Sequence, residues 1–232
     1  MNVGLFGGTF DPIHRGHLAV ARAARDEFKL NRILFVPAAV PPHKPGALVA
    51  AFEQRYAMVA LATAGEDEFI PSLLEAPRSS NVLPFRTSRD AKPAPNYSIS
   101  TVRKLRSMLH KNDKLFFILG VDSFLQISTW REPEALFEEA EFIIASRPGF
   151  SMAEVAAALP RSLRPRAAAM AALRKQKSTA VALPGLALHL LPYVRENVSS
   201  TAIRKAAQGN GRLERFVGEA VAEYIRKQKL YR

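Results

Sequence analysis

The first eighteen residues constrain the fold more than any other part of the chain. An apolar run from Val3 to Phe6 predicts a buried strand, which ends at Gly7 and Gly8. Apolar residues then recur at helical spacing between His17 and Phe28. A strand that passes through glycines into a helix brings backbone N–H groups and the positive end of the helix dipole together. The pattern therefore predicts an α/β fold with a phosphate-binding site at the end of the first strand.

Two histidines at the start of this helix make the pattern more specific. The run His14-Arg15-Gly16-His17 places two imidazoles three residues apart, so that they can point the same way, and Gly16 keeps a side chain out of the anion's path. Imidazoles can donate hydrogen bonds to a phosphoryl group while charge builds on it. The stretch is neither the G-x-G-x-x-G fingerprint nor the P-loop. The alternative, a simple glycine turn with two ordinary surface histidines, does not explain why these features occur in this order.

Composition limits the class of protein. A chain of 232 residues with 48% hydrophobic residues can bury one sizeable core, so we expect a single domain over residues 1–232. No run of eighteen apolar residues and no signal-peptide pattern is present, which argues against a membrane partner. The absence of cysteine fits a reducing compartment, and we predict a cytoplasmic location. The oligomeric state stays open, and a homo-oligomer is compatible with the sequence.

The formal net charge of +12 has two interpretations. A strongly basic chain can bind nucleic acid. However, the basic residues are scattered and form no block of five or six, which a nucleic-acid-binding arm would show. A positive cleft also gathers phosphorylated substrates. We favour the second interpretation.

A second informative block begins at residue 115. The continuous apolar run Leu115–Leu119 predicts a central parallel strand that is covered on both faces, and it leads into Gly120-Val121-Asp122. If this strand lies beside the first, Gly120 and Asp122 face the histidines across the crevice where strand order reverses. Asp122 could then accept hydrogen bonds from ribose hydroxyls. A lone tryptophan such as Trp130 is in general more often a core residue than a ligand platform.

A third motif opens a late helix. Ser199, Ser200 and Thr201 supply hydroxyl groups beside unpaired backbone N–H groups, and Arg204 adds a planar fork for phosphate oxygens. Such hydroxyl caps are common, so the motif alone is weak. It gains meaning only when it is combined with the N-terminal element.

The remaining segments complete the predicted architecture. We expect a Rossmann-like, doubly wound α/β fold, with a mostly parallel sheet of five to six strands and helices on both faces. Residues 77–95 are polar and proline-rich, which predicts a mobile insertion. The alanine-rich, basic residues 151–182 are expected to be helical and peripheral, and their role is open. Residues 199–232 form a C-terminal helical portion, with the basic end 226–232 expected in solvent.

These motifs resemble those of the nucleotidyltransferase superfamily that carries a His-x-Gly-His element. The fuller similarity is to the nicotinate-nucleotide adenylyltransferases. It includes residues 7–17, the Pro-Pro-His-Lys run that ends at Lys44, the Leu-Gly-x-Asp run with Trp130 downstream, and the late Ser-Ser-Thr-x-Ile-Arg run. Val198 stands where that family has isoleucine, and Ser98 stands where it has threonine.

The resemblance implies an activity: transfer of AMP from ATP to nicotinate mononucleotide, which gives deamido-NAD and pyrophosphate in NAD biosynthesis. It also implies Mg²⁺, held mainly by substrate phosphates and water rather than by a protein metal site. Two rivals share parts of the pattern, namely phosphopantetheine adenylyltransferase and another nucleotidyltransferase such as a cytidylyltransferase. A non-catalytic nucleic-acid-binding relative is a third, which the intact histidine pair argues against.

The resemblance also implies residue roles. The catalytic residues are His14, His17, Lys44 and Arg204. The ATP-binding residues are Gly7, Gly8, Thr9, Phe10, His14, His17, Gly120, Asp122, Arg147, Ser199, Ser200, Thr201 and Arg204. The mononucleotide-binding residues are Thr9, Phe10, Lys44, Tyr97, Ser98, Asp122 and Trp130, of which Trp130 would stack on the pyridine ring. We expect Arg55, which follows the lysine loop, to be structural.

Overall fold

The structure is a computed structural model that describes residues 1–39, 50–77, 96–146, 150–175, 180–183, 186–191, 196, 198–209 and 211–232. Its strands are β1 (Asn2–Gly8), β2 (Arg32–Pro37), β3 (Phe69–Pro71), β4 (Lys114–Gly120), β5 (Glu141–Ala145), β6 (Ala180–Leu183) and β7 (Leu186–Leu191). Its helices are α1 (Arg15–Phe28), α2 (Phe52–Thr63), α3 (Ser98–Arg106), α4 (Val121–Phe124), α5 (Pro133–Glu139), α6 (Met152–Ala158), α7 (Ala167–Lys175), α8 (Ser200–Gln208), α9 (Glu214–Val217) and α10 (Glu219–Lys227). Short 3₁₀ turns lie at Ile127–Thr129 and Arg161–Leu163.

The strands form one sheet in the order β3-β2-β1-β4-β5-β7-β6. Six of them run parallel, which confirms the predicted Rossmann-like, mostly parallel sheet. The strand β6 is an addition that the sequence did not indicate, because it pairs antiparallel with β7 at the edge of the sheet. Residues 180–182 were expected to be helical. Alanine favours helix locally, but pairing with a neighbouring strand can override that propensity.

Two hydrophobic layers cover the two faces of the sheet. Along β4, Phe116 and Ile118 face one layer, and Leu115, Phe117 and Leu119 face the other. This alternation follows from the two-residue period of a strand. Helices α1, α2, α8, α9 and α10 contribute to the first layer, and α3, α4, α5 and α6 contribute to the second. Helices on both faces are therefore confirmed.

Two segments are more buried than their sequences suggested. Met152 and Val155 of α6 are buried in the second layer, so the start of segment 151–182 is not peripheral. At the C-terminal end, Leu230 is only 7% exposed and packs in the first layer. The basic end 226–232 is thus not simply solvated. Met152, Val155 and Leu159 do follow helical spacing, whereas Leu230 is an isolated apolar residue in a basic stretch and carries no periodic signal.

The register of the strands opens a crevice at the carboxyl edge of the sheet. Pairing of β1 with β2 continues to Gly8 opposite Pro37, and pairing of β4 with β5 continues to Gly120 opposite Ala145. Between β1 and β4, however, the last paired residues are Phe6 and Ile118. The two central strands therefore separate over their final residues. This is also the point where strand order reverses, the usual ligand site of such folds.

Two further expectations can be compared with the described residues. Across those residues, no helix combines the length and apolar character needed to cross a bilayer. Of the predicted insertion 77–95, the structure describes only Pro77. The insertion therefore stays a prediction.

Candidate functional site

The histidine pair begins α1 at the carboxyl edge of the sheet. His14 is the N-cap residue with an extended backbone, and His17 lies one turn later. Their rings are stacked with centroids 3.7 Å apart at an interplanar angle of 27°. The backbone N–H of His14 donates to Nδ1 of His17 over 3.2 Å. Because Nδ1 accepts this bond, a neutral His17 carries its proton on Nε2, which leaves one hydrogen-bond donor for a ligand.

Two glycines of the motif lie in close contact with aromatic rings. A Cβ atom at Gly16 would lie 3.1 Å from Cε1 and Nδ1 of the His14 ring. A Cβ atom at Gly8 would lie 3.1 Å from the ring of Phe10. Either atom would force the adjacent ring to move. Gly16 therefore leaves room for the His14 ring, in addition to the role expected of it in keeping a side chain out of the anion's path.

Phe10 reaches into the core rather than into the crevice. Its backbone is left-handed, with φ of 48°, and its side chain is only 2% exposed. The ring packs edge-on against Phe6 at 5.6 Å and against His17 at 5.1 Å. Only the backbone of Phe10 is thus available for the predicted nucleotide contacts. Gly7, Gly8 and Thr9, which precede Phe10 in the chain, are partly exposed.

Burial keeps the two imidazoles uncharged at neutral pH. It lowers the pKa of His14 from its ordinary value of 6.5 to about 4. Burial also lowers the pKa of His17, and the neighbouring His14 adds to this effect. Both rings therefore act as neutral hydrogen-bonding groups. Positive potential comes instead from the start of α1, whose first turn Arg15-Gly16-His17-Leu18 contains no acidic residue.

Asp11 fastens the turn that precedes the histidines. Its side chain is 3% exposed, and Oδ1 accepts hydrogen bonds from the Ala50 N–H at 3.1 Å and the Tyr231 hydroxyl at 2.7 Å. Its main-chain oxygen accepts from Nη1 of Arg204 at 2.7 Å, and the Arg204 guanidinium also lies 3.8 Å from Oδ2. Segments from three distant parts of the chain therefore converge on this one residue.

The late motif is brought to the histidine turn. Ser200 at the start of α8 donates to the main-chain oxygen of Pro12 at 3.0 Å, and Arg204 binds Asp11 as described. Arg204 and Ser200 thus contact the turn that leads into the histidine pair. The other hydroxyls make local bonds, because Ser199 caps the helix by accepting from the Ala202 N–H and Thr201 accepts from Arg204. The ATP contacts expected of these residues stay predictions.

Arg55 organises the edge of the sheet as a structural residue, in line with the sequence-based expectation. Its side chain is 1% exposed and donates to the main-chain oxygens of Ala50 at 2.9 Å, Thr9 at 2.8 Å and Ala39 at 3.3 Å. Burial lowers its pKa, and the nearby Asp11 carboxylate opposes this shift. Arg55 thereby links the end of β1 to the residues that follow β2 and precede α2.

On the other side of the crevice, Gly120 leaves open space. A Cβ atom there would meet no protein atom within 4 Å, and its backbone φ of −74° suits any residue. Neither packing nor backbone geometry requires glycine at this position. The close approach of a ligand to the main chain would favour glycine here, because glycine has no side chain in the way. Asp122 lies two residues later, exposed in the first turn of α4.

Trp130 lies partly buried on the second layer beside β4. Its ring centroid is 6.3 Å from that of Phe117. The buried indole Nε1 makes no hydrogen bond to the described residues. The adjacent Arg131 stands over the ring of Tyr97, with its guanidinium carbon 4.8 Å from the ring centroid. Two residues predicted to bind the mononucleotide, Tyr97 and Trp130, thus lie in neighbouring segments. No sequence pattern indicated the contact of Arg131 with Tyr97.

Sequence reasoning also missed Glu75, which ties α3 to the sheet. Its carboxylate accepts from the Thr101 hydroxyl at 2.7 Å and from the Ala39 N–H at 3.4 Å, and its main-chain oxygen accepts from the side chain of Asn96 at 3.3 Å. Burial raises the pKa of Glu75, and these hydrogen bonds oppose the shift. The contacts fix the start of α3, where Tyr97 is the N-cap residue and Ser98 the first helical residue.

Some predicted site residues cannot be placed. Lys44 and Arg147 lie outside the described residues. Within the described ranges, no group of three or more histidine, aspartate or glutamate side chains could hold a metal ion. The described site therefore consists of a neutral imidazole pair, a helix start, an arginine and an open glycine edge. This donor set suits phosphate oxygens and a nucleoside more than a tightly held cation.

Comparison with known proteins supports the resemblance seen in the motifs. The cytidylyltransferase-like family model matches residues 5–206. A protein of Citrifermentans bemidjiense named "Probable nicotinate-nucleotide adenylyltransferase" is 38% identical over 231 residues, covering 100% of this chain and 98% of that protein. A protein of the same name from Moorella thermoacetica is 36% identical over 230 residues, covering 99% of this chain and 91% of that protein.

A solved structure shares the fold at low sequence identity. The Plasmodium falciparum nicotinic acid mononucleotide adenylyltransferase complexed with NaAD superimposes with a TM-score of 0.67 and 18% identity, covering 99% of this chain and 97% of that one. This similarity extends the agreement from local motifs to the whole architecture. By its full-length sequence similarity, the chain belongs to the cytidylyltransferase-like family and, within it, to the nicotinate-nucleotide adenylyltransferases.

Proposed function

We propose that this chain transfers AMP from ATP to nicotinate mononucleotide, with release of pyrophosphate and formation of deamido-NAD, in NAD biosynthesis. The observation that carries the proposal is the convergence of the histidine pair, Ser200 and Arg204 at the carboxyl edge of the sheet. Full-length similarity to nicotinate-nucleotide adenylyltransferases supports the choice of substrates.

The reaction needs positioning and charge stabilisation rather than a protein nucleophile. A phosphate oxygen of the mononucleotide attacks the α-phosphorus of ATP, the bond from that phosphorus to the bridging oxygen breaks, and pyrophosphate leaves with the electron pair. The mononucleotide phosphate is already a nucleophile, so a strong general base is unnecessary. Donors placed in advance around the phosphates lower the barrier.

In this proposal the residues divide the work between the two sides of the crevice. The start of α1 and the Nε2–H of His17 donate hydrogen bonds to the phosphates. Lys44 and Arg204 offset the charge of the triphosphate, and the neutral ring of His14 donates a hydrogen bond to it. On the β4 side, Gly120 admits a nucleoside to the backbone and Asp122 accepts from ribose hydroxyls. Trp130 and Tyr97 hold the nicotinate part of the mononucleotide.

Mg²⁺ would enter with ATP, bound mainly by phosphates and water. The donor chemistry of the described site fits this arrangement. The carboxylate of Asp11 is buried and already accepts two hydrogen bonds, so it is poorly placed to serve as a metal ligand. Phosphate-bound Mg²⁺ is usual where a protein offers few carboxylates.

A pyrophosphate-release assay with a panel of acceptors tests the activity. With ATP and Mg²⁺, we expect release with nicotinate mononucleotide at a rate well above that with nicotinamide mononucleotide or phosphopantetheine. CTP with an alcohol phosphate tests the cytidylyltransferase alternative in the same format. Release with phosphopantetheine alone, or with CTP alone, would overturn the assignment.

His17→Ala removes one donor to the developing charge. We expect turnover to fall by at least about 100-fold, the scale of losing one preorganised transition-state donor. His110→Ala is a matched control, since His110 is exposed in the turn before β4, at the opposite edge of the sheet. The control should keep parental turnover. Circular dichroism and thermal unfolding check both folds, and near-normal turnover in a folded His17→Ala protein contradicts the role.

The buried, neutral histidine pair makes the folded state less stable in acid. The folded pKa of His14 is about 4, below its ordinary value of 6.5, so the unfolded chain binds the proton first. Its contribution to the unfolding free energy is complete above about pH 6.5 and is lost as pH falls toward 4, a change of roughly 3 kcal/mol. Between pH 7 and pH 5, the unfolding free energy of His14→Gln, measured by urea unfolding, should fall by less than that of the parent. Equal losses in the two proteins would refute the shift.

Trp130→Ala tests the side of the crevice that binds the mononucleotide. We expect KM for nicotinate mononucleotide to rise roughly 10- to 100-fold, the range for losing one aromatic stacking partner. The affinity for ATP should stay within about twofold. Leu125→Ala, which removes an exposed apolar side chain from the same segment, is the control. An ATP-selective loss would show that the two substrate sides are reversed.

A further inference from the structure

Tyr231 contacts the turn between β1 and α1, and no sequence motif indicated this contact. It follows α10 and lies 220 residues away from Asp11 in the sequence. Its hydroxyl donates to Oδ1 of Asp11 over 2.7 Å, and its ring packs against the first hydrophobic layer. Its neighbour Leu230 is buried in the same layer. The ring is therefore anchored independently of the hydroxyl, which lets the hydroxyl act on Asp11 from a fixed point.

Asp11, which accepts this hydrogen bond, lies in the turn that positions the histidine pair. Asp11 lies three residues before His14, and its main chain is held by Arg204. The next residue, Pro12, accepts from Ser200. The carboxylate is buried, so an oxygen that loses a hydrogen bond there is not readily compensated by water. The turn would shift to recover the lost bond.

We propose that Tyr231 is a positioning residue for the adenylyl transfer: its hydroxyl holds the Asp11 carboxylate and thereby sets the turn that presents His14 and His17 opposite Arg204. The expected effect on turnover rests on the proposed function. The contact between Tyr231 and Asp11 is independent of that function. Misplacement of reacting groups by about 1 Å can lower rates by about 100-fold. A hydroxyl that touches no substrate can therefore matter for turnover.

The protonation states suit this role. Burial, and the adjacent Asp11 carboxylate, raise the pKa of the Tyr231 phenol above its ordinary value. The phenol keeps its proton throughout the working pH range and donates to the carboxylate. The positive charges of Arg204 and Arg55 oppose this shift. The phenol of Tyr231 therefore stays the donor and the carboxylate of Asp11 the acceptor, with Arg204 and Arg55 nearby.

Tyr231→Phe is the test, because it keeps the buried ring and removes only the hydroxyl. We expect kcat/KM for pyrophosphate release, measured well below the melting temperature, to fall roughly 10-fold, within the range for losing one hydrogen bond to a buried carboxylate. Tyr224→Phe is the matched control. Tyr224 packs against the same layer from α10, and its substitution removes none of the described bonds to Asp11. That control should stay within twofold of the parent.

Hydrogen exchange separates positioning from a purely stabilising contact. In Tyr231→Phe, backbone amides of residues 9–14 should exchange faster than in the parent, while amides of β4 should be unchanged. Slower turnover together with faster exchange in the turn supports the inference. Parental kcat/KM, or unchanged exchange in residues 9–14, overturns it. If the parent itself releases no pyrophosphate, the proposed function fails, and the exchange measurement alone decides whether Tyr231 holds the turn.

Discussion

The buried carboxylate of Asp11 is the constraint to which the site geometry is tied. A charge removed from water must be paired with donors or cations, or the fold loses several kcal/mol. The donors here come from Ala50 before α2, from Tyr231 after α10 and, nearby, from Arg204 of α8. Satisfying this one side chain therefore brings the C-terminal helices and the start of α2 against the turn after β1. That turn is also the one that presents the histidines.

The same burial explains the electrostatics of the site. The imidazoles lie among aromatic rings and backbone, so they are neutral, and they offer directed hydrogen bonds instead of full charges. Attraction for anions comes from the start of α1 and from Arg204. The tautomer of His17 is set by its surroundings, since its Nδ1 accepts from the His14 N–H. A charged pair stacked at 3.7 Å would repel itself.

The two sides of the crevice differ in construction. The β1 side is tightly bonded through Arg55, Asp11 and Arg204, which leaves little freedom to the backbone after β1. The β4 side has open space at Gly120 and an aromatic surface at Trp130. A rigid phosphate side and a roomier nucleoside side suit two substrates that both carry phosphate but differ in their rings. The separation of β1 from β4 beyond Phe6 and Ile118 gives both sides access to the same space.

Local patterns in the sequence were enough to predict the glycine turn with its histidines, the central strand from Leu115, the late hydroxyl motif and the parallel sheet they imply. Periodicity and turn chemistry report on neighbours in the chain, and these predictions needed nothing more. Tertiary structure alone decided that Phe10 turns into the core, that β6 pairs at the edge, and that Glu75 and Tyr231 bind residues far away. A hydrogen bond across 220 residues leaves no local pattern, because only the packed helices bring its two ends together.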